Sequence, residues 1–146
     1  MYNIGFDLGS SSIKGSIVDS NSGKEILTLS EPKGEMDIIS SKTDWAEQDP
    51  NKWWEYICNL TKRLITESKI DSTKISAVGI SYQMHGLVVV DKNGSPLRNS
   101  IIWCDSRAVE IGETALEQLG SKKCSENLLN SPANFTASKL KWVKEN

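Results

Sequence analysis

Residues 2–19, YNIGFDLGSSSIKGSIVD, decide the fold, because two short apolar runs flank a turn rich in glycine and serine. The runs cover residues 2–7 and Ile13–Asp19, and each has the length and composition of a strand. A third run, residues 25–30, follows a second group of turn-forming residues at 20–23. The chain is therefore predicted to begin with an antiparallel meander of two or three strands.

The next part of the chain predicts a helix that crosses over to another strand. Asp49 suits a helix N-cap and Pro50 suits the first helical position. The apolar side chains that follow at helical spacing are Trp53, Ile57, Leu60 and Leu64. Residues 75–81 then have the composition of a buried strand, which can return parallel to residues 2–7. We therefore predict an α/β fold with a mixed sheet.

Less regular segments surround these elements. Residues 32–48 lack periodicity and are expected to be irregular, and residues 87–91 predict a strand that enters the hairpin turn DKNG. The last predicted helix turns Leu140 and Val143 inward. The remaining predicted elements are a strand at 101–104 and helices at 108–119 and 136–144.

The composition excludes several classes of protein. The chain has 146 residues with 17 basic and 19 acidic side chains, and this net charge of −2 gives no reason to expect a nucleic-acid or membrane partner. Its longest aliphatic run, residues 87–90, is far shorter than the ~20 residues of a membrane span. The three cysteines lack the spacing of a metal site, and no signal-like segment opens the chain. We therefore expect a cytoplasmic protein.

The turn after the first predicted strand has the composition of a phosphate site. Asp7 stands at the end of the strand, where a carboxylate can hold Mg²⁺ together with retained waters. Gly9 permits a tight turn, and the amides and hydroxyls of Ser10, Ser11 and Ser12 can bind phosphate oxygens. The spacing is neither that of a Walker loop nor that of the dinucleotide-binding glycines. The alternative is an ordinary hydrophilic hairpin turn.

A second candidate site follows the predicted buried strand. Gln83 and His85 can hydrogen-bond hydroxyl groups and Met84 can make an apolar contact, a combination that suits a polyol. If the strand is parallel to the first one, these residues and Asp7 lie at neighbouring carboxyl ends, where open α/β sheets bind ligands. The alternative is a structural histidine, and no serine or cysteine at a diagnostic spacing supports a catalytic triad.

A further polar loop, WCDSR at 103–107, ends the next short strand. Asp105 can accept hydrogen bonds from sugar hydroxyls while Arg107 anchors the loop. Alternatively, Asp105 caps the following helix and Arg107 is solvated. Packing roles are expected for Trp45, Trp53, Trp54 and Trp142, and a solvated helix face for Lys139, Lys141 and Lys144.

Several segments, taken in order, resemble the N-terminal part of the FGGY-family carbohydrate kinases. They are IGFDLGSSSIKGSIVD (4–19), DWAEQDPNKWW (44–54), AVGISYQMHGLVVVD (77–91), IIWCDSRA (101–108) and NSPANFTASKLKWV (130–143). WAEQDP and the triplet Gln83-Met84-His85 are similar to the xylulokinase group of that family. Glycerol kinase relatives usually carry Gln-Arg-Glu at the triplet.

The resemblance implies a ribonuclease-H-like (actin/hexokinase-like) fold and the ATP-dependent phosphorylation of D-xylulose to D-xylulose 5-phosphate. It implies that Asp7 positions Mg²⁺ and ATP, with Gly9, Ser10 and Ser11 in the phosphate loop. Ser10 replaces a frequent threonine of the family and keeps its hydroxyl. The residues implied to line the sugar site are Met84, His85, Gln83, Trp103 and Asp105.

These kinases are several times longer than 146 residues. The resemblance therefore implies part of a first domain, inactive alone, whose catalytic base and second domain lie elsewhere, and it is compatible with a homodimer of the full-length form. Two alternatives stay open: a kinase for another ketose or polyol (ribulose, gluconate or glycerol), or a non-catalytic sugar-binding fragment. A nuclease of the same fold is disfavoured, because residues 75–81 carry no acid.

Overall fold

Six strands and four α-helices make up the structure, a computed structural model that describes residues 1–146. The strands are β1 (Tyr2–Leu8), β2 (Ile13–Asp19), β3 (Glu25–Glu31), β4 (Glu47–Gln48), β5 (Ile75–Tyr82) and β6 (Ser100–Ile101). The helices are α1 (Pro50–Ser68), α2 (Val109–Leu119), α3 (Ser121–Leu128) and α4 (Thr136–Glu145), with 3₁₀ turns at Ser72–Lys74 and Pro132–Asn134. None of the helices combines the length and apolar character needed to cross a membrane.

The chain folds into two compact units. The first unit contains Met1–Asp37 and Pro50–Gln83. The second contains Ile38–Asp49 and Met84–Asn146. The first unit therefore contains β1, β2, β3, β5, α1 and the 3₁₀ turn Ser72–Lys74. The second contains β4, β6, α2, α3, α4 and the 3₁₀ turn Pro132–Asn134.

A four-stranded sheet with the order β3-β2-β1-β5 is the framework of the first unit. β1 pairs antiparallel with β2, with Ile4 opposite Ile17, and β2 pairs antiparallel with β3. On its other side, β1 pairs with β5 in parallel, with Phe6 opposite Ile80. The predicted meander and the mixed α/β sheet are confirmed.

Helix α1 covers one face of this sheet. The buried side chains of β1 and β2 alternate along each strand, as expected for a sheet with one covered face, and they are Ile4, Phe6, Ile13 and Ile17. Leu60 and Leu64 of α1 are fully buried above them. A Cβ atom on Gly15 would lie 2.8 Å from Leu64 Cδ1 and 3.0 Å from Leu60 Cδ2. Glycine at this position therefore lets the helix approach β2 closely.

Replacement of a leucine on the buried face of α1 should destabilise the first unit. We expect Leu60→Ala to lower the free energy of unfolding by about 2–5 kcal/mol, because the change leaves a cavity between helix and sheet. Trp54 on the same helix is exposed, so Trp54→Ala should change it by about 0.5 kcal/mol or less. Urea denaturation followed by circular dichroism measures both changes. Equal losses in the two variants would contradict the proposed packing of α1.

The prediction that residues 75–81 form a buried strand is wrong in one respect, because β5 is exposed. Val78 is 59% exposed, Ile80 62% and Tyr82 69%. β5 is the edge strand of the sheet and pairs only with β1, whereas α1 packs against β2 and β3. The strand therefore forms where predicted, but its apolar side chains are not covered.

The second unit is mainly helical around a short antiparallel pair. Glu47 of β4 lies opposite Ile101 of β6, and Leu87 forms an isolated bridge to Ile101. Helix α2 packs closely against the Pro132–Asn134 turn. A Cβ atom on Gly112 would lie only 2.2 Å from the Cα atom of Ala133, so the contact requires glycine at this position. This close approach brings the segment before α4 into the core of the unit.

Two local predictions in the second unit are wrong, and one helix was not predicted. Residues 87–91 form isolated bridges rather than a strand, and the turn after them is held by Asp91, whose Oδ1 accepts the amides of Asn93 and Ser95 at 2.8 and 2.9 Å. The strand predicted at 101–104 ends at Ile101. Helix α3 was not predicted, because its sequence SKKCSENL is polar and buries only Cys124.

Candidate functional site

The β1–β2 turn in the first unit carries the predicted phosphate residues. Asp7 lies opposite Lys14 of β2 and Ser81 of β5, with its side chain on the exposed face of the sheet. The amide of Gly9 donates to the carbonyl oxygen of Ser12 at 3.2 Å. A Cβ atom on Gly9 would lie 2.9 Å from that same oxygen. The turn is therefore tight enough to favour glycine at this position.

The end of β5 lies beside this turn within the first unit. The amide of Gln83 donates to the carbonyl oxygen of Leu8 at 2.9 Å, which extends the parallel pairing beyond the two strands. The carboxyl ends of β1 and β5 are thus neighbours, as predicted from the sequence. Open α/β sheets commonly bind ligands at such ends.

The ligands that this turn offers match those that Mg²⁺ takes when it is bound with a nucleotide. No group of three or more His, Cys, Asp or Glu side chains converges in the chain. Mg²⁺ bound with a nucleotide usually keeps several waters and takes one or two carboxylates together with phosphate oxygens. Asp7 is exposed beside the tight, hydroxyl-rich turn. It can therefore supply one carboxylate to a Mg²⁺ ion whose other ligands are waters and phosphate oxygens.

The predicted sugar residues of the second unit begin at the turn formed by Met84 and His85. Met84 is 67% exposed. His85 has a φ of +62°, an uncommon conformation for a residue other than glycine that costs of order 1 kcal/mol. Its imidazole stacks on the ring of Phe135, with 4.5 Å between the centroids and 15° between the planes. The turn is therefore held in a strained conformation by packing against the segment before α4.

The loop after β6 carries two residues of the predicted sugar site, of which one is exposed and the other is buried. Trp103 is 49% exposed, whereas Asp105 has no exposed surface. The carboxylate of Asp105 accepts hydrogen bonds from the amide of Ala46 at 2.6 Å and from Nε and Nη2 of Arg107 at 2.8 and 2.6 Å. Both oxygens are thus engaged within the protein, and the role of Asp105 in sugar binding stays a prediction.

Arg107 is buried, so the alternative in which it is solvated is wrong. Its guanidinium lies 3.7 Å from the ring centroid of Trp45, and its Nη1 is 2.7 Å from Oε1 of Glu47. Burial alone would lower the pKa of Arg107, but hydrogen bonds to Asp105 and Glu47 outweigh that effect and raise it above its ordinary value. This network supports the anchoring role proposed from the sequence.

Lys139 is also buried, which contradicts its predicted place on a solvated helix face. Its ammonium group donates to the carbonyl oxygens of His85, Asn134 and Trp103 at 2.9, 3.2 and 3.4 Å. Burial lowers the pKa of Lys139, although the nearby charge of Asp105 opposes the shift. Lys141 and Lys144 are exposed as expected, and Leu140, predicted to turn inward, is exposed as well.

Four residues beside the predicted sugar loops were not predicted from the sequence as part of the site. They are Asn134, Phe135, Thr136 and Lys139, which hydrogen-bond or stack on the loops of the second unit that carry His85 and Trp103. One signal was available for Lys139, because residues 139 and 141 lie about 200° apart around a helix and cannot share one face. The other three contacts join distant parts of the chain and leave no periodic pattern.

The tryptophans divide between packing and exposure. Trp45 and Trp142 pack edge to face, with ring centroids 5.3 Å apart, and Trp53 is buried on α1. These three agree with the predicted packing role. Trp54, also on α1, is exposed and does not have the predicted packing role.

Comparison with known proteins places these features in a family. A gluconate kinase from Lactobacillus acidophilus has the same fold, with a TM-score of 0.81, 30% identity, and coverage of 98% of this chain and 28% of that one. The fold is that of the actin/hexokinase-like ATPases. The model of the FGGY family of carbohydrate kinases, N-terminal domain, matches residues 2–146. The chain belongs to the FGGY family of carbohydrate kinases.

The curated relatives act on more than one substrate. A xylulose kinase from Staphylococcus epidermidis is 34% identical over 97% of this chain and 27% of its own length. A glycerol kinase from Thermococcus onnurineus is 37% identical over 70% of this chain and 21% of its own length. The chain thus spans less than a third of the length of the relatives it matches.

Loss of the carboxylate of Asp105 should destabilise the second unit. Asp105→Ala leaves the buried guanidinium of Arg107 with one acidic partner, so we expect the free energy of unfolding to fall by about 3–5 kcal/mol. Glu117 is exposed on α2, and Glu117→Gln should be nearly neutral in the same urea denaturation. Full stability in Asp105→Ala would show that the network contributes little to the fold.

Proposed function

We propose that this chain provides the phosphate loop and sugar-binding residues of a kinase that transfers the γ-phosphoryl group of ATP to D-xylulose. The observation that carries this proposal is the exposed turn at Met84 and His85, in a chain similar to a xylulose kinase over 97% of its length. The polar imidazole and the apolar thioether can contact the hydroxyls and the carbon skeleton of a ketose together. Glycerol kinase relatives usually carry arginine and glutamate at these two positions.

The residues of the first unit then bind the nucleotide. Mg²⁺ would neutralise charge on the β- and γ-phosphates, and Asp7 would hold it through its exposed carboxylate. Gly9 allows the turn to approach the phosphates, and the amides and hydroxyls of Ser10 and Ser11 would donate hydrogen bonds to phosphate oxygens. Gln83, next to the end of β1, is assigned to the sugar with Met84 and His85.

The reaction forms one bond and breaks another. A hydroxyl oxygen of the sugar forms a new bond to the γ-phosphorus, while the bond from that phosphorus to the leaving oxygen of ADP breaks. The hydroxyl proton passes to a general base, which we assign to a residue outside 1–146. Rate acceleration in such a transfer comes mainly from the positions of the two substrates and from the neutralisation of charge.

A kinase for another polyol is the second candidate, because relatives of this chain include glycerol and gluconate kinases. It differs from the first proposal only in the sugar. A sugar-binding chain without phosphoryl transfer is a third reading, in which the turn around Asp7 binds no Mg-ATP.

The sugar preference can be measured by isothermal titration calorimetry on the 146-residue chain. We expect D-xylulose to bind more tightly than D-ribulose, gluconate or glycerol. His85→Ala should weaken D-xylulose binding about tenfold, because it removes a hydrogen bond and the ring stacked on Phe135. Thermal melting of the variant separates this effect from unfolding.

The outcomes distinguish the candidates. Tighter binding of glycerol or gluconate would favour the second candidate, and unchanged D-xylulose affinity in His85→Ala would refute the role of His85. Binding of D-xylulose without any binding of Mg-ATP would favour the non-catalytic reading. ADP release by the 146-residue chain with D-xylulose would contradict a base outside these residues.

A further inference from the structure

Lys139 is a buried charge that the proposed reaction does not use. It has no exposed surface, and its ammonium group donates three hydrogen bonds to neutral backbone carbonyls rather than to a carboxylate. Burial of an ammonium group without an ion-pair partner costs several kcal/mol of desolvation, which an apolar side chain of similar size would avoid. A packing role alone therefore does not explain a lysine at this position.

The carbonyls that Lys139 binds belong to separate segments of the second unit. They come from His85 in the turn after β5, from Trp103 in the loop after β6 and from Asn134 in the 3₁₀ turn before α4. An ammonium group has three hydrogens to donate, so a single side chain can join all three segments. Two of these segments carry residues of the predicted sugar site: His85, which the proposed function assigns to the sugar, and Trp103, which the resemblance to the FGGY kinases implies for it.

Neighbours of Lys139 contact the same two segments. The hydroxyl of Thr136 donates to the carbonyl oxygen of Gly86 at 3.1 Å, and Nδ2 of Asn134 donates to that of Trp103 at 2.9 Å. The imidazole of His85 stacks on Phe135. Residues 134–139 therefore hold both segments from one side, and Lys139 is the member that bonds to both.

We propose that Lys139 is a positioning residue, whose ammonium group fixes the orientation of His85 and Trp103 for sugar binding. This inference rests on the proposed function for the identity of the sugar site. The strained φ of +62° at His85 supports it, because such a conformation persists only where the surrounding contacts hold it. Lys139 makes no contact with substrate in this account and acts only through the two segments.

The test compares Lys139→Met with Lys141→Met on the same helix. Methionine is unbranched, apolar and only one atom shorter than lysine, so it can occupy most of the same space but donates no hydrogen bond. Lys141 is exposed. We expect Lys139→Met to weaken D-xylulose binding at least about tenfold, while Mg-ATP binding changes less than about twofold. Lys141→Met should leave both affinities unchanged. Calorimetry measures the affinities, and thermal melting reports the fold.

Equal loss of D-xylulose and Mg-ATP affinity would show a general structural role and overturn the proposal, as would wild-type sugar affinity in Lys139→Met. If that variant does not fold, Thr136→Val decides, because the hydroxyl of the exposed Thr136 bonds to Gly86 in the same turn. We expect about threefold weaker sugar binding in Thr136→Val and recovery in Thr136→Ser. Unchanged binding in Thr136→Val would then overturn the proposal.

A second measurement separates this inference from the proposed function. Without any sugar, Lys139→Met should shift the imidazole signals of His85 and the indole N–H signal of Trp103 in nuclear magnetic resonance spectra, and Lys141→Met should not. If Lys139→Met does not fold, the imidazole signals of His85 are compared between wild type and Thr136→Val instead. If wild type fails to bind D-xylulose but these signals shift, only the proposed function fails. If the signals do not move, the positioning role is refuted whether or not sugar binds.

Discussion

Parallel pairing between β1 and β5 is the constraint on which the first unit depends. It brings the carboxyl ends of two strands together, although more than sixty residues separate them in the chain. The amide of Gln83 continues the pairing to the carbonyl oxygen of Leu8. One hydrogen-bonded ladder therefore fixes the positions of Asp7, of the hydroxyl-rich turn and of Gln83, where the segment with the predicted sugar residues begins. A shift of its register by one residue would turn Asp7 to the face covered by α1.

Buried polar groups have the corresponding role in the second unit. The carboxylate of Asp105 and the guanidinium of Arg107 fix the loop after β6, and the ammonium group of Lys139 joins that loop to the turn at His85. Each group is costly to remove from water, and each is compensated by several hydrogen bonds. The second unit has only two short strands. Its loops are therefore held in place mainly by these side-chain hydrogen bonds, whereas backbone hydrogen bonds of a sheet hold the first unit.

Much of the fold could be predicted because local patterns and turn chemistry agree. Short apolar runs on either side of a turn rich in glycine and serine identified β1 and β2, and Pro50 is the first residue of α1 as expected. The exposure of β5 could not be predicted, because an apolar run shows what its side chains favour but not which element covers them. Helix geometry could have separated Lys139 from Lys141, but its hydrogen-bond partners could not be predicted, because they are carbonyls on distant segments. The roles assigned to the site residues stay predictions, supported by family membership and by the exposure of Asp7, Met84 and Trp103.

The central claim is that two separate groups of residues in this chain bind a sugar and a nucleotide. The most direct measurement is a ¹H–¹⁵N nuclear magnetic resonance titration of the 146-residue chain, first with D-xylulose and then with ATP and Mg²⁺. We expect D-xylulose to shift the signals of residues 83–86 and of Trp103, and Mg-ATP to shift those of residues 7–12. Shifts confined to other surfaces, or no shifts with either ligand, would contradict it.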